Sequence, residues 1–157
     1  MPRSHDETPI LGIDFDGTVV VHEYPEIGDE VPEAVNTLRR LSNAGARLVL
    51  FTMRSGPTLA EAVRWFADRA IPLWGVNSNP DQHSWSQSPK AYCHAYIDDA
   101  AIGCPLIHPE GSRPVVDWAA VAVLVARKFF DPADNCPTHF VVGDPLCPAC
   151  LSKQRFH

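Results

Sequence analysis

Three short apolar runs that each end on an acid or a hydroxyl side chain constrain the fold of this chain more than any other feature. The runs cover residues 10–13, 47–52 and 95–97, and the polar residues at their ends are Asp14, Thr52 and Asp98. Runs of this length, separated by helical segments, predict the buried strands of a parallel sheet. Because the carboxyl ends of parallel strands meet at one edge, where α/β proteins bind ligands, we expect these three side chains to share one site.

Helical segments are expected between the strands. Residues 32–44 place apolar side chains at helical spacing and are followed by Gly45, which is a common helix terminator. Further helices are predicted after Ser55 and over 117–130, and further short strands over 73–76 and 106–107. Strands that alternate with helices predict an α/β fold: a doubly wound, Rossmann-like parallel sheet with helices on both faces.

Length and charge narrow the classes of protein that remain. The chain has 157 residues, which suits one domain, and we expect a core over residues 1–131 and a short tail over 132–157. Its 13 basic and 19 acidic side chains give a net charge of −6, which argues against general affinity for nucleic acid or anionic membranes. No apolar run is long enough to span a bilayer, and the polar N-terminus has no signal core, so we expect a cytoplasmic protein. The oligomeric state stays open.

The segment Asp14-Phe15-Asp16-Gly17-Thr18 carries the strongest chemical signal. Residues two apart in an extended chain point the same way, and two close carboxylates repel each other unless a cation or a shared proton relieves them. Asp98 and Asp99 would bring the acids at this sheet edge to four, a set of oxygen ligands suited to Mg²⁺. Lys90 and Thr52 would add a positive charge and hydrogen-bond donors for a phosphate.

Taken together, these residues resemble the haloacid dehalogenase-like hydrolase superfamily. Its first motif, Asp-x-Asp-Gly-Thr after an apolar strand, matches residues 14–18, and its second, a strand ending in Thr or Ser, matches 48–52. Its third and fourth motifs, a Lys followed by a strand and an acidic pair, match Lys90 and residues 96–99. The resemblance covers about residues 9–107, in the order of the family.

The resemblance implies an Mg²⁺-dependent phosphatase that works through an aspartyl-phosphate. Asp14 would be the nucleophile, and Asp16 would protonate the leaving oxygen and then activate water. Mg²⁺ would be held by Asp14, the Asp16 carbonyl and Asp98, with Asp99 acting directly or through water. Thr52 and Lys90 would steady the phosphoryl oxygens and the nucleophile.

Many members of that superfamily carry a cap domain between the first and second or between the second and third motifs. Residues 19–47 and 54–89 have only the length that the core itself needs, so we expect a capless member. Arg54 and Ser55 follow the second motif and are candidates for substrate contact, although Arg54 is equally suited to an ion pair. The substrate would be a phosphorylated small molecule, a nucleotide or a macromolecule.

Cysteine and histidine residues in the tail predict a second, structural metal site. The spacing is Cys-x2-His-x7-Cys-x2-Cys, which suits tetrahedral Zn²⁺, and the ligands would be Cys136, His139, Cys147 and Cys150. His108 or His157 are alternatives to His139. Dithiol exchange at the second cysteine pair, or free thiols beside a surface histidine, are the competing interpretations.

Besides phosphotransfer to an acceptor other than water, which would use the same nucleophile, two alternatives to a general phosphatase remain. One is a nucleotide or polynucleotide-end phosphatase, which uses the same chemistry on a narrower substrate. The other is a catalytically silent binding module that kept the fold and docks through the tail. The complete set of acids, with Thr52 and Lys90, favours the enzyme.

Overall fold

A four-stranded parallel sheet flanked by helices forms the centre of the molecule. The computed structural model describes residues 8–130. Its elements in chain order are β1 (Ile10–Ile13), α1 (Ala34–Asn43), β2 (Arg47–Leu50), α2 (Gly56–Asp68), β3 (Gly75–Val76), β4 (Ala95–Ile97), β5 (Leu106–Ile107), β6 (Val115–Val116) and α3 (Trp118–Phe129), with a short 3₁₀ turn at Gln82–Ser84. The predicted α/β class and parallel sheet are confirmed.

The order of the strands places the functional edge. The sheet has the order β3-β2-β1-β4, with β1 paired in parallel to β2 and to β4. Ile13 lies opposite both Leu50 and Ile97, so the carboxyl ends of these three strands are level. The chain order changes direction between β1 and β4, and α/β sheets open a crevice at such a point. The polar residues that follow these strands therefore surround that crevice.

The strand predicted over 106–107 exists but lies outside the parallel sheet. β5 pairs antiparallel with β6 in a separate two-stranded sheet. Only residues 108–114 connect the two strands, and this is too short for the crossover that parallel pairing requires. The difference matters for function because the connection carries Arg113 to the crevice.

Helix boundaries follow local chemistry. Helix α1 begins at Ala34 because Glu33 adopts a left-handed backbone with φ of 64°. Helix α3 begins after Asp117, whose carboxylate accepts a hydrogen bond from the Ala120 amide at 3.1 Å.

Helix α3 packs one face into the core but leaves Leu124 half exposed. Within residues 8–130, none of the helices has the length and apolar character that a membrane crossing would need.

A short hairpin rises from the end of β1. The amides of residues 18–20 all donate to the Phe15 carbonyl, which turns the chain sharply after the strand. Val21 N then donates to Asp29 O at 2.8 Å and Val31 N to Val19 O at 3.0 Å. We call residues 21–29 the flap. Its root is anchored by Phe15, Val19 and Val20, which are fully buried.

Candidate active site

Three carboxylates from two strand ends meet in the crevice. Oxygen atoms of Asp14, Asp98 and Asp99 all lie within 4.8 Å of one another. The Asp14 amide donates to the Ile97 carbonyl at 3.0 Å, which ties the two strand ends together next to the acids. Parallel pairing of β1 with β4 thus joins acids that are more than eighty positions apart in the sequence.

Thr18 holds the acidic cluster in place. Its hydroxyl donates to an Asp14 carboxylate oxygen at 3.0 Å and accepts from the Asp99 amide at 3.2 Å. The Thr18 side chain is completely buried, and the backbone carbonyl of Thr18 accepts a hydrogen bond from the Trp118 indole at 2.7 Å. Thr18 therefore links β1, the end of β4 and the start of α3 in one rigid unit around the acids.

Gly17 lets the backbone approach Asp99. A Cβ atom there would lie 2.5 Å from an Asp99 carboxylate oxygen, and the residue has a φ of 83°. We expect Gly17→Ala to weaken divalent-cation binding about tenfold or more, because displacing a carboxylate that lies against a metal site typically costs that much. Titration of the protein with Mg²⁺ or Mn²⁺ measures the change.

Gly45→Ala is the matched control for that substitution. Gly45 also has a positive φ, of 96°, but no atom lies within 4 Å of the point where a Cβ would stand. Both variants should lose about 1–2 kcal/mol of stability from the backbone alone. Equal cation affinities in the two variants would show that the approach to Asp99 does not matter.

Burial and mutual repulsion make the acidic cluster unfavourable without a cation. Burial, with the nearby charges of Asp98 and Asp99, raises the pKa of Asp14 to about 7. Burial and the charge of Asp98 likewise raise the pKa of Asp99, partly offset by a backbone hydrogen bond at Asp99 and by electrostatic interactions with nearby side chains such as Arg113. Hard oxygen donors this close fit a small divalent cation such as Mg²⁺, which would relieve the repulsion.

Arg54 joins the second acid of the motif to the flap. Its guanidinium makes a two-pronged ion pair with Asp16, at 2.8 and 2.7 Å, and also donates to the carbonyls of Pro25 and Glu26 at 3.0 and 2.7 Å. The side chain is buried, and the hydrogen bond to Asp16 raises the pKa of Arg54. Of the two roles expected for Arg54, the structure places it in an ion pair. All of these bonds go to the protein itself.

The acids line a pocket of about 530 Å³. The walls carry acidic and basic side chains together with Thr52, and the complete lining is Asp14, Asp16, His22, Tyr24, Thr52, Met53, Arg54, Asp98, Asp99, Ala100 and Arg113. The Thr52 amide donates to the Asn77 side chain at 2.8 Å, and the Thr52 hydroxyl accepts from the Arg54 amide at 3.2 Å. The Thr52 hydroxyl oxygen is therefore held in place by a local turn at the pocket wall.

Two of the predicted site residues are not part of this lining. Lys90 is exposed, and its ammonium group lies 5.4 Å from the centre of the Tyr96 ring. Ser55 is exposed and precedes the first turn of α2. The predicted zinc ligands Cys136, His139, Cys147 and Cys150 lie outside the described residues, as does His157, while the alternative ligand His108 is exposed.

Sequence reasoning did not assign roles to Thr18, His22, Tyr24, Met53 or Arg113 at this site. Thr18 belongs to the same short motif as Asp14 and Asp16, and a hydroxyl residue four positions after Asp14 is a usable sequence signal. The only sequence signal of the flap residues His22 and Tyr24 is their place shortly after the first motif. Arg113 carried no signal at all, because only the β5–β6 hairpin brings it to the crevice.

Comparison with known proteins identifies a similar solved structure. No known family model matches the chain, and no curated protein matches it significantly. Among solved structures, the structure of this chain is similar to that of a conserved protein from Bacteroides thetaiotaomicron. The two chains are 33% identical, the match covers 78% of this chain and 93% of the other, and the TM-score is 0.64.

Proposed function

The chain belongs to the same family as the conserved Bacteroides thetaiotaomicron protein, and from the site that the fold builds in this chain we propose that it is a divalent-cation-dependent phosphomonoesterase. The observation that carries the proposal is the cluster of Asp14, Asp98 and Asp99 within 4.8 Å of one another. Asp16, two residues after Asp14, supplies an acid and base for proton transfer in the same pocket. The motifs shared with haloacid dehalogenase-like hydrolases support the same reaction.

Asp14 is the nucleophile of the proposed reaction. Its carboxylate oxygen attacks phosphorus, the bond from phosphorus to the leaving oxygen breaks, and an aspartyl-phosphate forms. The Thr18 hydroxyl donates to one Asp14 oxygen at 3.0 Å and so fixes the direction of the other. Thr52 at the pocket wall donates its hydroxyl hydrogen to a phosphoryl oxygen.

Asp16 moves the protons in both steps. It gives a proton to the leaving oxygen in the first step, and in the second it takes one from the water that attacks phosphorus and releases phosphate. Arg54 pairs with Asp16 at 2.7 Å and thereby holds the Asp16 carboxylate in a fixed position in the pocket.

Asp14, Asp98 and Asp99 would hold a cation such as Mg²⁺, which would supply the positive charge that lets an anionic phosphate lie beside three carboxylates. Arg113 provides the second positive charge at the pocket wall. Lys90 does not line the pocket, so the geometry gives no support to its predicted role in steadying the phosphate.

We propose three structural features of the chain as well. They are the doubly wound, Rossmann-like architecture, the absence of a cap domain and the zinc site of the tail. The short length of the chain between the motifs supports the capless form, since the flap is the main structure that rises over the pocket between Val19 and Val31. The Cys and His spacing remains the support for zinc.

Phosphate release tests the proposal. We expect release from a panel of sugar phosphates, nucleotides and aryl phosphates in the presence of Mg²⁺, and its loss when EDTA removes the cation. Release that persists in EDTA would contradict the metal site. No release from any substrate, with a folded protein that still binds Mg²⁺, would favour a catalytically silent binding module.

A further inference from the structure

Two large apolar side chains stand exposed at the mouth of the acidic pocket. Tyr24 is 56% exposed and Met53 is 98% exposed, and both line the pocket. They come from different parts of the chain, Tyr24 from the flap and Met53 from the turn after β2. One exposed apolar side chain is ordinary, but two that converge on a pocket lined by charged groups form a local apolar surface.

The flap side of this surface is held in a defined position. The Arg54 guanidinium lies 5.3 Å from the centre of the Tyr24 ring and donates to the next carbonyl, that of Pro25, at 3.0 Å. Arg54 is itself buried and paired with Asp16. The Tyr24 ring is therefore positioned by the same buried group that contacts the acid beside the reaction centre.

Arg113 adds positive charge from a third loop. It is exposed, lines the pocket, and takes part in none of the ion pairs found among residues 8–130. Arg54, the other arginine of the lining, is committed to Asp16. The pocket mouth thus combines an aromatic face, a thioether and a guanidinium, a set that suits a flat ring attached to a phosphate.

We propose that the substrate is a phosphomonoester whose leaving group carries a flat aromatic or heteroaromatic ring, which packs against Tyr24 and Met53 while Arg113 contacts the phosphate. This inference rests on the proposed phosphatase function. The ring belongs either to a nucleoside or to an aryl group, and both sources present the same apolar face. A ring that packs on one aromatic residue gains enough to change affinity by about tenfold.

Matched substrates isolate the contribution of the ring. Adenosine 5′-monophosphate and ribose 5-phosphate release the same type of primary oxygen and differ by the base, and phosphotyrosine against phosphoserine gives the aryl comparison. We expect the double variant Tyr24→Ser and Met53→Ser to lose at least about tenfold more kcat/KM on the ring-bearing member of one pair than on the other member. The nucleotide pair responds if the source is a nucleoside, and the amino-acid pair responds if it is an aryl group.

Ile102→Ser is the matched control. Ile102 is fully exposed but does not line the pocket, so its replacement removes an exposed apolar side chain without touching the site. It should leave both substrate ratios unchanged. Equal losses on both members of both pairs in the double variant would overturn the inference while the phosphatase function stands.

Binding of the free leaving groups separates this inference from the phosphatase proposal. Saturation-transfer NMR with adenosine against ribose, and with tyrosine against serine, needs no turnover. Preferential binding of a ring compound that is lost in the double variant supports the inference even if no phosphate is released. Absence of any such preference in a protein that releases no phosphate would remove both proposals.

Discussion

Replacing Asp14 by Asn should abolish phosphate release and at the same time stabilise the cation-free protein at alkaline pH. Loss of a nucleophile typically lowers kcat by a factor of about 10³ or more. The gain in stability has a separate cause, because the substitution removes a partly buried charge that lies within 4.8 Å of two other carboxylates. We expect a gain on the order of 2 kcal/mol at pH 8, less than the full pKa shift implies because Asp14 keeps some contact with solvent.

The pH dependence has a definite sign. The pKa of Asp14 is raised from 3.8 to about 7 in the folded protein, so the folded state holds the proton more tightly than the unfolded chain. The corresponding contribution to stability is complete below pH 4 and disappears as the pH rises through about 7. Denaturant unfolding in EDTA at pH 4 and pH 8 should therefore show wild type and Asp14→Asn close together at the lower pH and separated at the higher.

Two further measurements make this prediction specific. Mg²⁺ should stabilise the wild type at pH 8 and should have little effect on Asp14→Asn, since the variant lacks one of the three carboxylates. Asp68→Asn, at an exposed position in the last turn of α2, serves as the control and should change neither turnover nor the pH profile. A wild type that is as stable at pH 8 as at pH 4 without a cation would contradict the expected repulsion among the acids.

Replacing Arg54 by Met should produce the largest loss of stability among the variants considered. The side chains of Arg54 and Asp16 are 1% and 14% exposed, so removal of the arginine leaves a largely buried carboxylate without its partner. Breaking such a pair costs about 3–5 kcal/mol. The carbonyls of Pro25 and Glu26 lose their donor as well, and the flap loses its link to the sheet. Chemical unfolding measures the loss, and phosphate release should fall with it.

A double-mutant cycle with Asp16→Asn tests the origin of the effect. Adding Asp16→Asn to Arg54→Met should restore part of the lost stability, because the uncompensated charge disappears. Arg47→Met is the control: its ion pair with Asp81 spans 3.4 Å between side chains that are 43% and 72% exposed, so it should cost less than about 1 kcal/mol. Arg54→Met with a cost no larger than that of Arg47→Met would show that the buried pair contributes little.

Much of the fold could be predicted because its signals are local. Residues 10–13 and 95–97 are strands at the bounds that their apolar runs indicate, and Asp117 caps the helix expected to follow it. The strand expected over 73–76 shortens to Gly75–Val76. The Val115–Val116 strand was not predicted, since two apolar residues have no detectable period and form a strand only through pairing with β5.

The acids of the site could also be predicted, but the roles of the basic residues could not. Asp14 and Asp98 follow buried strands, and the geometry of a parallel sheet is enough to bring such positions together. A basic side chain is long and can reach in several directions, so its sequence position says little about its partner. Arg54 pairs with Asp16 and donates to the flap, whereas Lys90 lies on an exposed loop. Arg113 lines the pocket from the hairpin formed by β5 and β6.

The sequence by itself determined the α/β class, the strand-end positions of the acids and the pairing of Asp14 with Asp16 in one short motif, because each depends on spacing within a few residues. Only the tertiary structure decided that Thr18 joins Asp14 to Asp99 and that Arg54 forms its ion pair with Asp16. It also decided that the pocket mouth is lined by Tyr24, Met53 and Arg113. These contacts join loops that are far apart in the chain. The distances between the contacting side chains are set by sheet register and turn geometry, which the spacing of residues in the sequence does not reveal.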